Sequence, residues 1–175
     1  MAFLRGMNLG GRRITNEALC GHVRALGFDD VSAFLASGNV LFAVRRGTAA
    51  QVAKRIEAGL AAALGYDVPT FVRTAAEAAA IATCRPFDAE VGEDGGKLQV
   101  ALLAKKPAAA ARKRALTHAT DDDQLDVEGR ELYWLPRGKI TESLLDLKAL
   151  EAALGTMTMR TRRTLERIAA KSVAG

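Results

Sequence analysis

The chain has 175 residues, of which 49% are apolar and 26% charged, and this composition is typical of a folded globular protein. It excludes a largely disordered chain, and no apolar run approaches the roughly 20 residues that cross a bilayer. The start also lacks the features of a secretory signal, so we expect a cytoplasmic protein with no membrane partner. The net charge of +5 favours anionic partners only if the charge is clustered on one surface.

The first elements in chain order are a strand, a glycine-rich loop and a helix. Residues 1–5 are predicted to be the end of a buried strand, and residues 6–11 contain three glycines. Thr15 is a good N-cap residue for a helix that ends at Gly27. The polar loop therefore leads from the end of a strand directly to the start of a helix.

A β-hairpin is predicted next. Two β-rich runs, 31–36 and 39–44, are separated by Ser37 and Gly38. This spacing is typical of a tight hairpin in which glycine takes the positive φ.

A second helix and a fourth strand complete the first half. Thr48 is the predicted N-cap and Gly65 the predicted stop of the helix, and residues 68–73 return as a strand. The pattern βαββαβ with a central hairpin matches the ferredoxin-like motif, an antiparallel sheet with both helices on one side. We therefore assign residues 1–74 to a first ferredoxin-like unit.

The second half, 75–175, repeats a βαββ-type pattern. It is predicted to contain a short helix, an acidic surface loop, a strand, a helix, a two-stranded hairpin and two final helices. In that order these lie at 75–83, 86–96, 98–104, 107–118, 124–127 with 131–135, 144–154 and 161–171. The chain is thus predicted to be an α+β protein of two tandem ferredoxin-like units, with antiparallel sheets and helices packed on one face of each.

The glycine-rich loop and the first hairpin form the main candidate site. In a unit with strand order 4-1-3-2 the first two strands are parallel, so both turns reach the same edge of the sheet. Backbone N–H groups, guanidinium groups and a helix N-terminus at one edge favour an anion. The candidate ligand-binding residues are Arg5, Gly6, Asn8, Gly10, Gly11, Arg12, Ser37, Gly38 and Asn39. The alternative is that these glycines only allow the chain to turn.

Two known phosphate-binding motifs do not fit this loop. Gly6 and Gly11 have the spacing of a P-loop, but Arg12 and Arg13 stand where lysine and a magnesium-binding hydroxyl are required. The glycines also do not follow the dinucleotide fingerprint G-x-G-x-x-G. We therefore predict no nucleotide cofactor of these classes.

A basic segment near the C-terminus is the second candidate. Thr158, Arg160 and Arg163 are predicted to lie at the start of the last helix, where cations oppose the helix dipole and a bound anion would offset that cost. Arg167 and Lys171 continue a basic stripe along the same helix. The alternative is an ordinary solvated basic face.

Other side chains indicate no metal site, no cofactor and no catalytic triad. His22 and His118 have no ligand spacing to a cysteine or carboxylate, and residues 121–123 lack the pattern of a calcium loop. Cys20 and Cys84 are expected to be free thiols. The aromatic pair Tyr133 and Trp134 is expected to pack in the core; base stacking is the alternative.

Several runs resemble the domain-of-unknown-function 1697 family of bacterial proteins. They are FLRGMNLGG at 3–11, LGF at 26–28, SGNVLF at 37–42 and a C-terminal set that includes Tyr133, Trp134 and Ser143. The resemblance implies α+β structure with ferredoxin-like halves. It does not indicate any particular activity, because none is established for that family. This chain departs from the family pattern in two places. It has Thr161-Arg162 where Asn-Trp is usual, and Leu144 where lysine is common. If these residues build a site, the loss of aromatic surface and the gain of charge shift its ligand toward greater negative charge than in members with the usual residues.

Three functions follow from these observations. The first is a binding module for a phosphate-bearing or other anionic ligand, either a nucleotide or a nucleic acid. The second is an enzyme acting on a small anionic metabolite. No general base is apparent for such an enzyme unless Glu17 or Asp29 approaches the loop in space. The third is a protein-interaction or structural role through an exposed edge or face of a sheet.

Overall fold

The computed structural model describes residues 1–7, 13–87 and 96–173. The backbone divides into two compact units, which we call unit 1 (Met1–Glu77 with Ser172–Gly175) and unit 2 (Ala78–Lys171). The predicted loop positions Asn8, Gly10, Gly11 and Arg12, and the acidic stretch 88–95, lie outside the described residues.

Unit 1 is a four-stranded antiparallel sheet with strand order β2-β3-β1-β4. Two helices pack on one of its faces, and their buried side chains Leu19, Val23, Ile56 and Leu60 meet those of the strands in one core. Its elements are β1 (Ala2–Leu4), α1 (Asn16–Ala25), β2 (Asp29–Ala33), β3 (Asn39–Ala43), α2 (Ala49–Leu64) and β4 (Thr70–Val72). The chain continues into α3 (Ala75–Thr83).

The helix ends of unit 1 follow the sequence signals. The Thr15 hydroxyl accepts from the Ala18 N–H, and Thr48 with Gln51 forms a capping box at the start of α2. Gly65 ends α2 in the left-handed region at φ 76°. These caps confirm both predicted helices of unit 1.

The first hairpin is longer than its sequence predicts. β2 ends at Ala33, so five residues rather than Ser37 and Gly38 alone connect it to β3. Leu35 and Gly38 both have positive φ, 60° and 71°, and this conformation ends the strand pairing early. The β-rich run 31–36 therefore overstates the length of β2.

Unit 2 has the same topology, with strand order β6-β7-β5-β8, and every pairing is antiparallel. Its helices α4 and α5 pack on a core that includes Ala101, Leu103, Leu132 and Leu150. The elements are β5 (Gln99–Leu103), α4 (Ala109–Leu116), β6 (Asp123–Glu128), β7 (Glu131–Pro136), α5 (Leu147–Leu154), β8 (Met157–Thr161) and α6 (Arg162–Val173). The prediction of two ferredoxin-like α+β units is confirmed.

The segment 157–161 corrects the prediction for the C-terminal region. It is an edge strand that pairs with the whole of β5, not the start of the last helix. The residues alternate methionine with threonine and arginine, a period of two that suits a strand, and α6 begins only at Arg162. The fourth strand makes unit 2 a full βαββαβ unit.

The sheet faces turned away from the packed helices are also buried. Phe3 and Phe71 in unit 1, and Val100, Leu102 and Tyr133 in unit 2, are each at most 2% exposed. An interaction through an uncovered sheet face therefore has no exposed apolar surface at these positions. Among the residues that the structure describes, no helix combines the length and hydropathy that a membrane crossing requires.

Two glycines with similar backbone conformation provide a test of the first hairpin. A Cβ at Gly38 (φ 71°) would lie 2.8 Å from Met7 Cγ, whereas one at Gly65 (φ 76°) meets nothing within 4 Å. We expect Gly65→Ala to lower the free energy of unfolding by about 1 kcal/mol, and Gly38→Ala by clearly more. Urea unfolding measures both, and equal losses would show that the hairpin does not pack closely on the end of β1.

Candidate functional site

The end of β1 and the β2–β3 hairpin meet at one edge of the sheet in unit 1, which we call the hairpin rim. The Leu4 N–H donates to Gly38 O at 2.7 Å, and Met7 is buried against the place where Gly38 lacks a side chain. Arg5 and Gly6 follow directly, with Gly6 at φ 73°. The two turns that the strand order predicts to be neighbours are therefore in contact.

Two of the predicted binding residues in the hairpin build its structure. The Asn39 side chain is 1% exposed, and its Nδ2 donates to Phe34 O at 2.9 Å and to Ser37 Oγ at 2.8 Å. Phe34 N–H donates to Asn39 O in return. Asn39 thus closes the five-residue loop, and its amide is not presented to a ligand.

The two described arginines between β1 and α1 differ in exposure. Arg5 is half-buried, and its backbone N–H donates to Pro69 O at 2.9 Å. Arg13 is exposed, two residues before the N-cap of α1, and forms no ion pair with any residue that the structure describes. Of the two carboxylates considered from the sequence, Glu17 lies in the first turn of α1. Asp29 begins β2 at the opposite end of that strand and pairs with Arg45 at 3.0 Å.

The predicted C-terminal binding residues do not form a group on one helix. Thr158 and Arg160 lie in β8, opposite Leu102 and Val100, and are 5% and 9% exposed. Arg160 Nη1 donates to Thr158 Oγ1 and Met159 O, and burial lowers the pKa of Arg160 to about 10. Only Arg163 is exposed in the first turn of α6. The prediction of an anion site with Thr158 and Arg160 at a helix start is therefore wrong in its geometry.

Both aromatic residues of β7 lie in the core, as expected. Tyr133 is 2% exposed, and burial, followed by its hydrogen bond with Cys84, raises the pKa of the phenol far above its ordinary value. Trp134 is 3% exposed, and its Nε1 donates to Asp123 Oδ1 at 2.7 Å. Neither ring is available for base stacking.

Asp123 is the centre of a buried polar cluster that the sequence did not reveal. Its carboxylate is 2% exposed and accepts from Trp134 Nε1, from Ser143 Oγ at 2.8 Å and from Thr120 Oγ1 at 3.2 Å. The Ser143 hydroxyl oxygen in turn accepts from the Leu145 N–H. These bonds hold the segment between β7 and α5 against the sheet, because a buried carboxylate without hydrogen-bond donors is energetically costly.

Two neighbouring clefts open where that segment meets the sheet of unit 2. The first, of about 240 Å³, is lined by three carboxylates and two cations, and its charges pair with each other: Arg137 with Asp122 at 3.0 Å and Lys139 with Glu142 at 3.5 Å. The second, of about 390 Å³, is the size of a small-molecule site. We call the second the β5 cleft; its described lining is Gly96, Lys97, Gln99, Gly138, Lys139, Ile140, Thr141 and Thr161.

The first residue of α6, which directly follows the cleft residue Thr161, carries an unsatisfied donor. Arg162 Nε donates to Glu166 Oε1 at 3.0 Å, and its backbone N–H donates to Leu98 O at 2.9 Å. Its Nη2 is buried, and among the described residues it is the one buried side-chain polar atom with no hydrogen-bond partner. Such a group costs about 1 to 3 kcal/mol and is satisfied when a water molecule or an anion binds.

Groups of metal-ligating side chains are absent from the part of the chain that the structure describes, where no three His, Cys, Asp or Glu residues converge. Cys20 is a buried free thiol and Cys84 a half-buried one.

The model of the family described as "Protein of unknown function (DUF1697)" matches residues 1–133. The chain belongs to the DUF1697 family. No curated protein matches it. The family match includes the whole of the hairpin rim, whereas Lys139, Thr141 and Thr161 of the β5 cleft lie beyond the matched residues.

Among solved structures, the chain is similar to the conserved bacterial protein SP0830 from Streptococcus pneumoniae. The two are 16% identical, with a TM-score of 0.73 over 98% of this chain and 96% of that one. At this identity the likeness shows a shared fold and nothing about a ligand. The function of this DUF1697 member must therefore be argued from its own side chains.

The Asp123 cluster gives a stability prediction. Ser143→Ala is expected to lower the free energy of unfolding by about 1.5 to 3 kcal/mol, because it removes a hydrogen bond to a buried carboxylate. The neighbouring Glu142→Ala is the matched control, since its pair with Lys139 is exposed and contributes at most about 1 kcal/mol. Urea unfolding of both variants measures the difference, and a loss no larger for Ser143→Ala than for Glu142→Ala would contradict this reading of the cluster.

Proposed function

We propose that this protein binds a phosphate-bearing ligand, a nucleotide or a nucleic acid, at the hairpin rim of unit 1. The observation that carries the proposal is the contact between the two turns, made by the Leu4 N–H and Gly38 O at 2.7 Å. Because of this contact, Arg5 and Gly6 lie at the same edge of the sheet as the hairpin. A strand end followed by a glycine-containing turn and a helix N-terminus is a common way to receive negative charge.

The residues of the hairpin rim have two roles: some form the hairpin, and others bind the ligand. Gly38, Ser37 and Asn39 build the hairpin, because their side-chain or backbone groups are engaged within it. Arg5 and Arg13 supply the charge, and Asn8, Gly10, Gly11 and Arg12 belong to the proposed site by their place in the sequence between them. The proposal thus rests on the arginines, with the hairpin as their support.

The electrostatics of α1 also support an anion at this edge. The partial positive charge of a helix N-terminus repels nearby cations, yet Arg13 lies just before the N-cap and is exposed. The acidic residue in the first turn of α1 is Glu17, which offsets part of this repulsion. A bound phosphate would interact favourably with both the helix end and the guanidinium groups.

The test is a pair of titrations at several salt concentrations, one with a fluorescently labelled single-stranded oligonucleotide and one with labelled ATP. For a nucleic acid, log K falls linearly with log salt with a slope that counts phosphate contacts, and Arg13→Ala reduces that slope by about one. For a nucleotide, ATP binds as well as the oligonucleotide, and Arg13→Ala weakens it about 3- to 10-fold.

Lys105→Ala is the control, because Lys105 is an exposed cation that follows β5 at the corresponding rim of unit 2. Both variants lower the net charge by one. Equal weakening by Arg13→Ala and Lys105→Ala would mean non-specific attraction and would remove the proposal, as would the absence of binding to either probe at low salt.

A further inference from the structure

We propose a second, separate ligand site: the β5 cleft of unit 2 binds a small organic phosphate, a monophosphate carried on a partly apolar body. This inference does not depend on the hairpin rim, since the cleft lies wholly within Ala78–Lys171 and the rim wholly within unit 1. The cleft lies at the edge of the sheet where β5 begins and where β7 and β8 end.

The walls of the cleft are held by backbone contacts. Gln99 pairs with both Trp134 and Thr161, so three strands end together at this point. The Gly96 N–H donates to Arg137 O at 3.1 Å, and a Cβ on Gly96 would overlap the carbonyl oxygens of Pro136 and Gly138. Only glycine permits this close approach, which sets the 138–141 turn beside the start of β5.

The charge of the described lining is positive. Lys97 is exposed and forms no ion pair with any described residue, and no carboxylate occurs among the described residues that line the cleft. Lys139 pairs with Glu142 at 3.5 Å, but both side chains are mostly exposed, so the pair is weak and a stronger anion can replace it. Two ammonium groups match the charge of about −1.5 to −2 that a phosphate monoester carries at neutral pH.

The remaining lining residues supply neutral donors and an apolar surface. Gln99 is 5% exposed and is oriented by its Nε2, which donates to Lys97 O at 2.7 Å. Thr141 contributes an exposed hydroxyl, and Thr161 a half-buried one that also bonds to Thr164. Ile140 is 48% exposed at the same cleft, where it can cover the body of a ligand. Few polar groups around an apolar wall are typical of small-molecule sites.

The unsatisfied donor of Arg162 is an independent observation on the residue that follows the cleft lining. Arg162 directly follows Thr161, and its backbone N–H is bonded to Leu98 O, between Lys97 and Gln99. Its buried Nη2 has no acceptor among the described residues. A third cationic group, with one donor unsatisfied among the described residues, therefore follows the cleft residue Thr161 directly in the chain.

The test is calorimetric titration of the full chain with adenosine 5′-monophosphate, adenosine and inorganic phosphate. We expect the monophosphate to bind more tightly than either part alone, and to bind more tightly as pH rises through about 6, where the phosphate takes its second negative charge. Lys97→Ala is expected to raise the Kd about fivefold or more. Lys148→Ala is the matched control, because Lys148 is an exposed lysine of α5 outside the cleft lining.

Amide NMR shifts in the same titration locate the site. Shifts centred on Gly96, Lys97 and Gly138 support the inference. Shifts centred on Arg5, Gly6 and Arg13 overturn it and support the hairpin rim, and the absence of binding by the monophosphate overturns it while leaving the rim to its own titrations. Equal weakening by Lys97→Ala and Lys148→Ala also overturns it.

Discussion

The backbone hydrogen bond from the end of the first strand to the hairpin between the second and third strands organises each unit. In unit 1 it joins Leu4 N–H to Gly38 O at 2.7 Å, and in unit 2 it joins Leu103 N–H to Arg130 O at 2.8 Å. Because the first and third strands are antiparallel, this bond brings the strand-to-helix loop and the hairpin to one edge. In unit 2, the opposite edge of the sheet holds the start of β5 and the ends of β7 and β8. The β5 cleft opens at this edge. Both proposed sites therefore follow from one topology.

A cationic side chain indicates an anion-binding site only where no carboxylate of the chain already pairs with it. Several arginines are already engaged by carboxylates at 2.9 to 3.0 Å: Arg45 by Asp29, Arg112 by Asp126, Arg137 by Asp122 and Arg162 by Glu166. Arg13 and Lys97 are exposed and form no such pair with a described residue. Each of the two belongs to one of the proposed sites, whereas other exposed cations such as Lys105 and Lys148 do not. The net charge of +5 does not locate a site, because it gives the sum of the charges and not their positions.

The sequence predicts the fold well where local signals are strong. Thr15, Thr48 and Gly65 mark helix ends through interactions with nearby backbone, so their positions follow from local chemistry. The segment of β8 is predicted as the start of a helix because Arg160 and Arg163 have a helical spacing. The alternating methionines of the same segment favour a strand. The sequence alone predicts Asn39 to be a ligand-binding residue. Its burial depends on the path of the hairpin, which the sequence does not show. The β5 cleft is not predictable from the sequence, because Lys97 and Lys139 line one cleft only through the pairing of β5 with β7, which no local pattern encodes.

Native-state hydrogen exchange at the Leu4 and Leu103 amides tests the central constraint most directly. If these two bonds hold the rims together, both amides exchange only through global unfolding, with the same free energy as the core amides of Phe3 and Val100. Rapid exchange of Leu4, while Phe3 stays protected, would show that the hairpin and the end of β1 separate in solution. The hairpin rim would then not be a preformed site, and the argument for anion binding there would fail.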